Sequence, residues 1–288
     1  MKFCILANPD KYSIQDPLNR VITWCKKNSA EILITKKLQE HLSGTDLSGV
    51  TVAATESDIV NRTDIVIAIG GDGTILHTAH LIKQADKPVL GINTGKLGFM
   101  ANIQPNDIES AMNSVSKNNY RVDKRSMLQA DQNGKIYYAL NEFLFTKKET
   151  SSMITLRAEY DGEFINNYWA DGLIISSPTG STAYNLSAGG PIVMPQTPVM
   201  VLTPINPHTL TTRPLVLPAG KTLTIKTVNQ KDNILFSYDG LILPGSNGLD
   251  INIKQSEYSI KIIQLPHQNY FETLRNKLMW GLDKRKGS

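Results

Sequence analysis

The stretch Asp64-Ile65-Val66-Ile67-Ala68-Ile69-Gly70-Gly71-Asp72-Gly73-Thr74 runs from an unbroken apolar segment straight into a glycine turn. An apolar run with no polar alternation is what a strand covered on both faces requires, so it predicts a buried parallel strand from Asp64 to Ile69. Thr74 to Lys83 predicts a crossover helix and Lys87 to Ile92 the next strand, a right-handed β-α-β unit. Working upstream, Phe3 to Ala7 and Glu31 to Thr35 read as two further strands. Between them Leu18, Val21, Ile22 and Cys25 recur at helical spacing, with Asp16 as the expected N-cap and Pro17 at the first helical position of a helix ending at Lys27.

Downstream of Lys124 the period changes. Ile154 to Tyr160, Leu223 to Ile225, Leu249 to Ile253 and Ile260 to Ile262 alternate apolar and polar residues, the signature of half-buried antiparallel strands. Helical spacing returns from Tyr270 to Leu282 through Phe271, Leu274, Leu278 and Leu282, a face that must dock on something, and Asp283 to Ser288 read as a solvated tail. The expected architecture is therefore α/β plus all-β: an N-terminal Rossmann-like α/β domain over residues 1–124 plus about 266–288, and a C-terminal β-sandwich-like domain over 125–265. The last helix is expected to pack back on the first domain.

At 288 residues with 41% hydrophobic and 19% charged residues, the chain is long enough for two ordinary domains and needs no disulfide or metal to hold its core. The formal charge of +4 is too small to indicate a nucleic-acid binder. No run approaches the roughly 20 apolar residues of a membrane helix, and the apolar segment at Phe3 is cut short by Asn8-Pro9, so a cytoplasmic protein without a membrane partner is expected. Cys4 and Cys25 read as reduced, buried thiols, and no Cys/His spacing assigns a metal site.

The chemistry concentrates in four places. The Gly70-Gly71-Asp72-Gly73-Thr74 turn offers backbone N–H groups and a helix N-terminus to a phosphate. A carboxylate in such a turn would repel that phosphate unless it held Mg²⁺ or took a proton from an attacking hydroxyl, which points to phosphoryl transfer; the alternative is that Asp72 only caps the helix. Gly91 to Phe99 places a second glycine-rich loop on the same sheet edge, where open α/β sheets bind ligands. The long segment Ala170 to Pro191, crowded with hydroxyl residues and glycines around Tyr184, offers hydrogen bonds and a stacking ring to a nucleotide. Asn141-Glu142, taken alone, reads as a solvated strand entry.

Together these segments, with Pro204 to Leu210, Arg213 to Val216 and Tyr238-Asp239-Gly240, resemble the NAD kinase family. The glycine turn by itself is shared with phosphofructokinases and with lipid and sphingoid-base kinases; Asn141-Glu142 and Asp171-Gly172 through Gly190-Pro191 carry the distinction. The resemblance implies a phosphofructokinase-like first domain and transfer of a phosphoryl group from ATP or polyphosphate, with Mg²⁺ or another divalent metal, to the adenosine ribose 2′-hydroxyl of NAD, giving NADP. It implies Asp72 as the base and Gly73 and His77 as contacts to the dinucleotide. Asn141 and Glu142 would bind ribose hydroxyls, and Asp171 and Ala183 the nicotinamide end. Thr182, Tyr184, Asn185, Leu186 and Ser187 would line the adenosine side, with Ser152, His208 and Asp239 as further candidates. It also implies a homotetramer built as a dimer of dimers. His77, Ser152 and Leu241 depart from the residues usual in bacterial relatives. A lipid or sphingoid-base kinase and a dinucleotide sensor without turnover are the alternatives.

Overall fold

The computed structural model describes residues 1–9, 12–42, 45–95, 98–148, 152–229, 234–243 and 248–279. The chain divides into two compact units, residues 1–124 with the chain from Ile260 onward, and Arg125–Ser259.

The first unit is built from β1 (Lys2–Ala7), α1 (Gln15–Lys27), β2 (Glu31–Thr35), α2 (Lys36–Glu40), β3 (Val50–Ala53), α3 (Glu56–Asn61), β4 (Ile65–Gly70), α4 (Asp72–Ile82), β5 (Pro88–Asn93) and α5 (Ile108–Ser116). Its strands are parallel in the order β3-β2-β1-β4-β5. Every residue of β4 is buried, as its unbroken apolar run demands. α1 supplies one covering face through Leu18, Val21, Ile22, Trp24 and Cys25, and Trp24 meets Phe3 edge-on at 6.3 Å between ring centroids. Each such side chain contributes roughly 1.5–3 kcal/mol by leaving water. Asp16 is not the cap of α1: a 3₁₀ turn at Tyr12–Ile14 leads in, Ile14 precedes the first helical residue, and Asp16 sits in the first turn paired with Arg20 at 2.9 Å. Cys4 and Cys25 are free and buried.

The order of the strands reverses between β1, which is followed by a chain running outward to β2 and β3, and β4, which runs outward to β5. Such a switch point opens a crevice beyond the carboxyl ends of the two central strands. It places the turn after β1 beside the glycine turn after β4.

The second unit is formed from β6 (Arg121–Gln132), β7 (Lys135–Ala139), β8 (Glu142–Lys147), β9 (Ile154–Tyr160), β10 (Glu163–Ala170), β11 (Gly172–Ser176), α6 (Tyr184–Ser187), β12 (Val199–Ile205), β13 (Leu215–Pro218), β14 (Leu223–Thr227), β15 (Ile234–Tyr238), β16 (Leu241–Ile242) and β17 (Asp250–Gln264). One antiparallel sheet runs β13-β12-β11-β8-β15-β16; β10, β9, β14 and the first part of β17 form another, with β6 and β7 attached. Inward-facing residues of both make one core, in which Phe145 and Phe236 are register partners with rings stacked at 4.7 Å. Leu249–Ile253 and Ile260–Ile262, expected as separate strands, belong largely to the single strand β17. Its last residues pair with β5 of the first unit, Lys261 opposite Pro88 and Ile262 opposite Val89.

The closing helix α7 (Tyr270–Leu278) docks on the first unit through Leu274, but Phe271, expected on that face, is exposed, and Met279 ends the helix in the left-handed conformation. Leu282 and the tail from Asp283 to Ser288 lie outside the described residues. No helix among the described residues is long and apolar enough to cross a membrane.

Candidate active site

The candidate residues fall into two clusters, one in each unit. In the first, α4 begins at Asp72 itself, two residues earlier than the spacing predicts, and Gly71 is the N-cap with no side-chain bond. Asp72 therefore does not cap the helix. Its carboxylate instead accepts three backbone N–H bonds from the second glycine loop: Phe99 N at 2.9 Å, Met100 N at 3.0 Å and Ala101 N at 3.2 Å. The two loops are thus tied together by one side chain. Gly98 is required by this closeness, because a Cβ there would lie 2.3 Å from Asp72 Oδ1.

Beside this turn a cavity of about 720 Å³ opens at the switch point. Ala7, Asn8 and Pro9 line it after β1, and Gly71, Gly73, Thr74 and His77 line it from the start of α4. A Cβ at Gly71 or Gly73 would meet nothing within 4 Å. Lys37 and Glu56 complete the polar wall, and Glu56 Oε2 lies 2.8 Å from His77 Nε2. The pairing acts on both groups: the hydrogen bond to Glu56 holds His77 above the usual imidazole range, and the bond to His77 holds Glu56 below the usual carboxylate range. Lys37 and Glu56 were not foreseen from sequence; their common feature, a position just past the carboxyl end of a strand, is the signal that would have found them.

In the second unit Asn141-Glu142 is not a solvated strand entry. Asn141 is buried, and Asp239 gathers the backbone N–H groups of Leu140 at 2.7 Å, Asn141 at 2.8 Å and Glu142 at 3.2 Å. Asp239 reaches them from a two-residue hairpin between β15 and β16, in which Asp239 and Gly240 both have positive φ, the turn for which Asp-Gly is favoured. On the other side of the pair, Ser177 N donates to Asn141 O at 2.8 Å, and a Cβ at Gly180 would lie 2.1 Å from that same carbonyl.

Glu142 Oε2 and Thr179 Oγ1 are buried and have no hydrogen-bond partner among the described residues. Orphaned buried polar atoms cost about 1–3 kcal/mol each, and two of them in the segments read as nucleotide-binding point to a ligand that satisfies them. Thr179 was missed as a site residue because a buried hydroxyl in a Ser/Thr-rich segment carries no distinguishing signal. Burial, with the Asp239 charge as a second cause, pushes the Glu142 carboxyl up to about 8. A raised carboxyl binds its proton more tightly in the folded than in the unfolded chain, so between pH 4.5 and 8 stability falls as pH rises. Glu142→Gln is expected to flatten that slope and to raise the melting temperature at pH 8 relative to the parent; parallel stability–pH curves for the two proteins would remove the assignment.

The segment from Ala170 to Pro191 is more ordered than the loop expected from its composition. β11 leads through a turn into a 3₁₀ turn at Gly180–Thr182 and the single helical turn α6. Asn185, fully buried, holds it: its Nδ2 donates to Ser181 O at 3.0 Å and Pro191 O at 3.1 Å, and its Oδ1 accepts from Thr203 Oγ1 at 2.6 Å. Tyr184 projects from this frame with 42% of its surface exposed; Ser187 is exposed, and Thr182, Ala183 and Leu186 are half-buried. Asp171 pairs with Lys147 Nζ at 2.6 Å and accepts from Asn206 Nδ2 at 3.1 Å, bonds that hold its carboxyl below the usual range. His208 stacks on Trp169 at 3.9 Å. Ser152 is exposed, ahead of β9.

Among the described residues no group of three or more His, Cys, Asp or Glu side chains is set to hold a metal ion. The donor set fits a cation carried on the phosphates of a ligand, with Glu56 as a single protein carboxylate, better than an all-protein cage.

Comparison with known proteins covers nearly the whole chain. Residues 3–120 match the family model described as the ATP-NAD kinase N-terminal domain, and residues 140–265 match the ATP-NAD kinase C-terminal domain. A protein of Cytophaga hutchinsonii named NAD kinase is 35% identical over 292 residues, 99% of this chain and 100% of its own. One of Bacteroides fragilis, also named NAD kinase, is 38% identical over 293 residues with the same coverage. Among solved structures, the yeast NADH kinase complexed with NADH superposes with a TM-score of 0.90 at 26% identity, covering 100% of this chain and 90% of that one. An NAD kinase from Archaeoglobus fulgidus in complex with ATP has a TM-score of 0.76 at 23% identity, covering 96% and 99%, a likeness of fold.

Proposed function

Because the chain belongs to the NAD kinase family, we propose that its phosphoryl transfer is organised by Asp72 at the head of α4 and by the cavity beside it. The reaction of that family moves a phosphoryl group to the adenosine ribose 2′-hydroxyl of NAD and yields NADP; this chain is an enzyme of that kind. The lipid-kinase and sensor readings are not favoured: the match extends through the second domain as well as the glycine turn, and the curated relatives are named as NAD kinases.

The observation that carries the assignment of Asp72 is its tether. Of the roughly four lone-pair positions on a carboxylate, three are taken by Phe99, Met100 and Ala101 N–H groups, which leaves one for a substrate hydroxyl. Asp72 is thus held rigidly, as general-base chemistry needs. In the proposed step the 2′-oxygen attacks the terminal phosphorus of the donor and its proton passes to Asp72. The bond from that phosphorus to the bridging oxygen breaks, and the leaving diphosphate keeps the electron pair. Gly71 and Gly73, at the open end of α4, offer backbone donors to the donor phosphates, and Lys37 adds positive charge to the same wall, where His77 is paired with Glu56. A divalent ion bound with the nucleotide would neutralise phosphate charge, with Glu56 as the protein carboxylate able to hold it.

For the dinucleotide, Asn141 and Glu142 are read as ribose contacts, joined by Thr179. Asp171, Thr182, Ala183, Tyr184, Asn185, Leu186 and Ser187 frame the rest, and Asn185 acts through the order it imposes on α6. Asp239 acts through the Asn141-Glu142 backbone. ATP as donor is supported by the description of both matching families. Mg²⁺, a homotetramer and a cytoplasmic setting complete the reading.

The test is direct. Purified protein with Mg²⁺-ATP and NAD is expected to generate NADP, read by coupling to an NADP-specific dehydrogenase, and to lose that activity in EDTA. Absence of NADP with ATP, other triphosphates and polyphosphate all supplied would overturn the reading.

A further inference from the structure

The loop that grips Asp72 is itself gripped from behind. Phe99, 9% exposed, meets the ring of Tyr270 at the start of α7, 6.4 Å between centroids, and the ammonium of Lys277, two turns along α7, lies 5.3 Å from the centre of the Phe99 ring. The segment entering α7 adds polar ties to the same loop. Asn102 Nδ2 donates to Gln264 Oε1 at 2.9 Å, and Gln268 Nε2 donates to Asn102 O at 3.3 Å. Gln268 is fixed in turn, its Oε1 accepting from Leu265 N at 2.9 Å. Residues 98–102 thus lie in a chain of contacts with the Asp72 carboxylate at one end and the C-terminal segment from Gln264 to Lys277 at the other.

We propose that Tyr270 and Lys277 are positioning residues for the phosphoryl transfer: the C-terminal helix clamps Phe99, and the clamped loop fixes the Asp72 carboxylate. The proposal rests on the reading of Asp72 as the base. Met100, Ala101 and Ile103 anchor the loop in the core, and backbone bonds from Gly98 N to Ala101 O, Asn93 N to Ile103 O and Ile103 N to Gly91 O brace it. Its end at Gly98 and Phe99 has no such anchor among the described residues beyond the Gly98 bond: Gly98 has no side chain, and the Phe99 ring is held by α7. The aromatic contact and the cation over the ring are the ties that α7 adds at Phe99, and losing either frees that end of the loop to shift beneath Asp72. A misplacement of about 1 Å at a catalytic group costs on the order of a hundredfold in rate, so even a partial loosening is read out in turnover. Neither Tyr270 nor Lys277 lines the cavity, so their loss should leave substrate affinity alone.

The experiment uses the full chain and four variants, Tyr270→Ala, Tyr270→Phe, Lys277→Ala and Asp72→Asn, each assayed for kcat and for KM of NAD. In parallel, hydrogen exchange is followed at the amides of Phe99, Met100 and Ala101, whose N–H groups bond to Asp72. Tyr270→Ala is expected to lower kcat about tenfold with KM for NAD within about twofold, and to speed exchange at those three amides while β1 and β4 amides keep their protection. Tyr270→Phe should restore both, and Lys277→Ala should give a smaller change in the same direction. Faster exchange with unchanged kcat, unchanged exchange at the three amides, or a uniform rise throughout the first unit would each overturn the clamp. If Asp72→Asn is inactive while Tyr270→Ala retains full turnover, the clamp fails alone; if Asp72→Asn turns over normally, the reading of the base has failed.

Discussion

Asp72→Asn is expected to lower turnover by about 10²–10⁴-fold, the range of a lost general base, while NAD binding stays within about threefold of the parent. The same substitution should also destabilise the first unit. An amide presents one carbonyl oxygen and one NH₂ group where the carboxylate presents two acceptors. At least one of the Phe99, Met100 and Ala101 N–H groups then faces a donor instead of an acceptor. Losing a charge-assisted bond of this kind costs about 1.5–3 kcal/mol. Turnover by the coupled assay, NAD affinity by calorimetry and the melting temperature separate the two effects. Loss of stability with near-normal turnover would make Asp72 a loop anchor only. Glu is no rescue at this position, because Gly98 already packs so close to Asp72 that a Cβ there would clash with it.

The second large effect belongs to Asp239. In Asp239→Ala three backbone donors, those of Leu140, Asn141 and Glu142, lose their acceptor together. Ala must also adopt the φ of +46° that Asp tolerates. The two costs sum to about 3–5 kcal/mol, and KM for NAD should rise as the Asn141-Glu142 backbone relaxes. Asp239→Asn keeps the turn conformation and one acceptor, so it should lose less than half as much. Denaturant unfolding of both variants checks the order; a loss below about 1 kcal/mol in Asp239→Ala would show that the three bonds are exchanged for water at no cost.

The sequence was most legible where local pattern and burial agree. β1, β2, β4 and β5 are short apolar runs between turn residues, and parallel strands covered on both faces admit no other composition. β3 was not foreseen because Val50–Ala53 is only four residues long and turns its middle residues to solvent. α2 and α3, five and six residues long, are too short to display a helical period. The sequence reads β17 as two strands because Ser256 and Ser259 interrupt its apolar alternation, although Ser256 is buried in the structure.

The glycine turn and the hydroxyl-rich segment announced themselves by residue type. What could not be read was the environment supplied by distant residues. Asn141-Glu142 reads as solvated because nothing nearby in sequence covers it; its backbone is held by Asp239, 98 positions away, and by Ser177 and Gly180 on the other side. The tether of Asp72 is of the same kind, made by residues 27 to 29 positions further on. Residue types reveal which groups can do chemistry, whereas pairing across the fold decides how each is held.

The sharing of β17 bears on how the chain is made. During synthesis β5 leaves the ribosome long before its neighbour: Pro88 waits for Lys261, and Val89 for Ile262. Until then the growing polypeptide carries a sheet whose last strand, Pro88–Asn93, is covered by Ile103 at its carboxyl end but leaves its outer edge at Pro88 and Val89 without the partner strand. Such an edge is a template for the wrong partner, and it stays open until the carboxyl end arrives to close the first sheet.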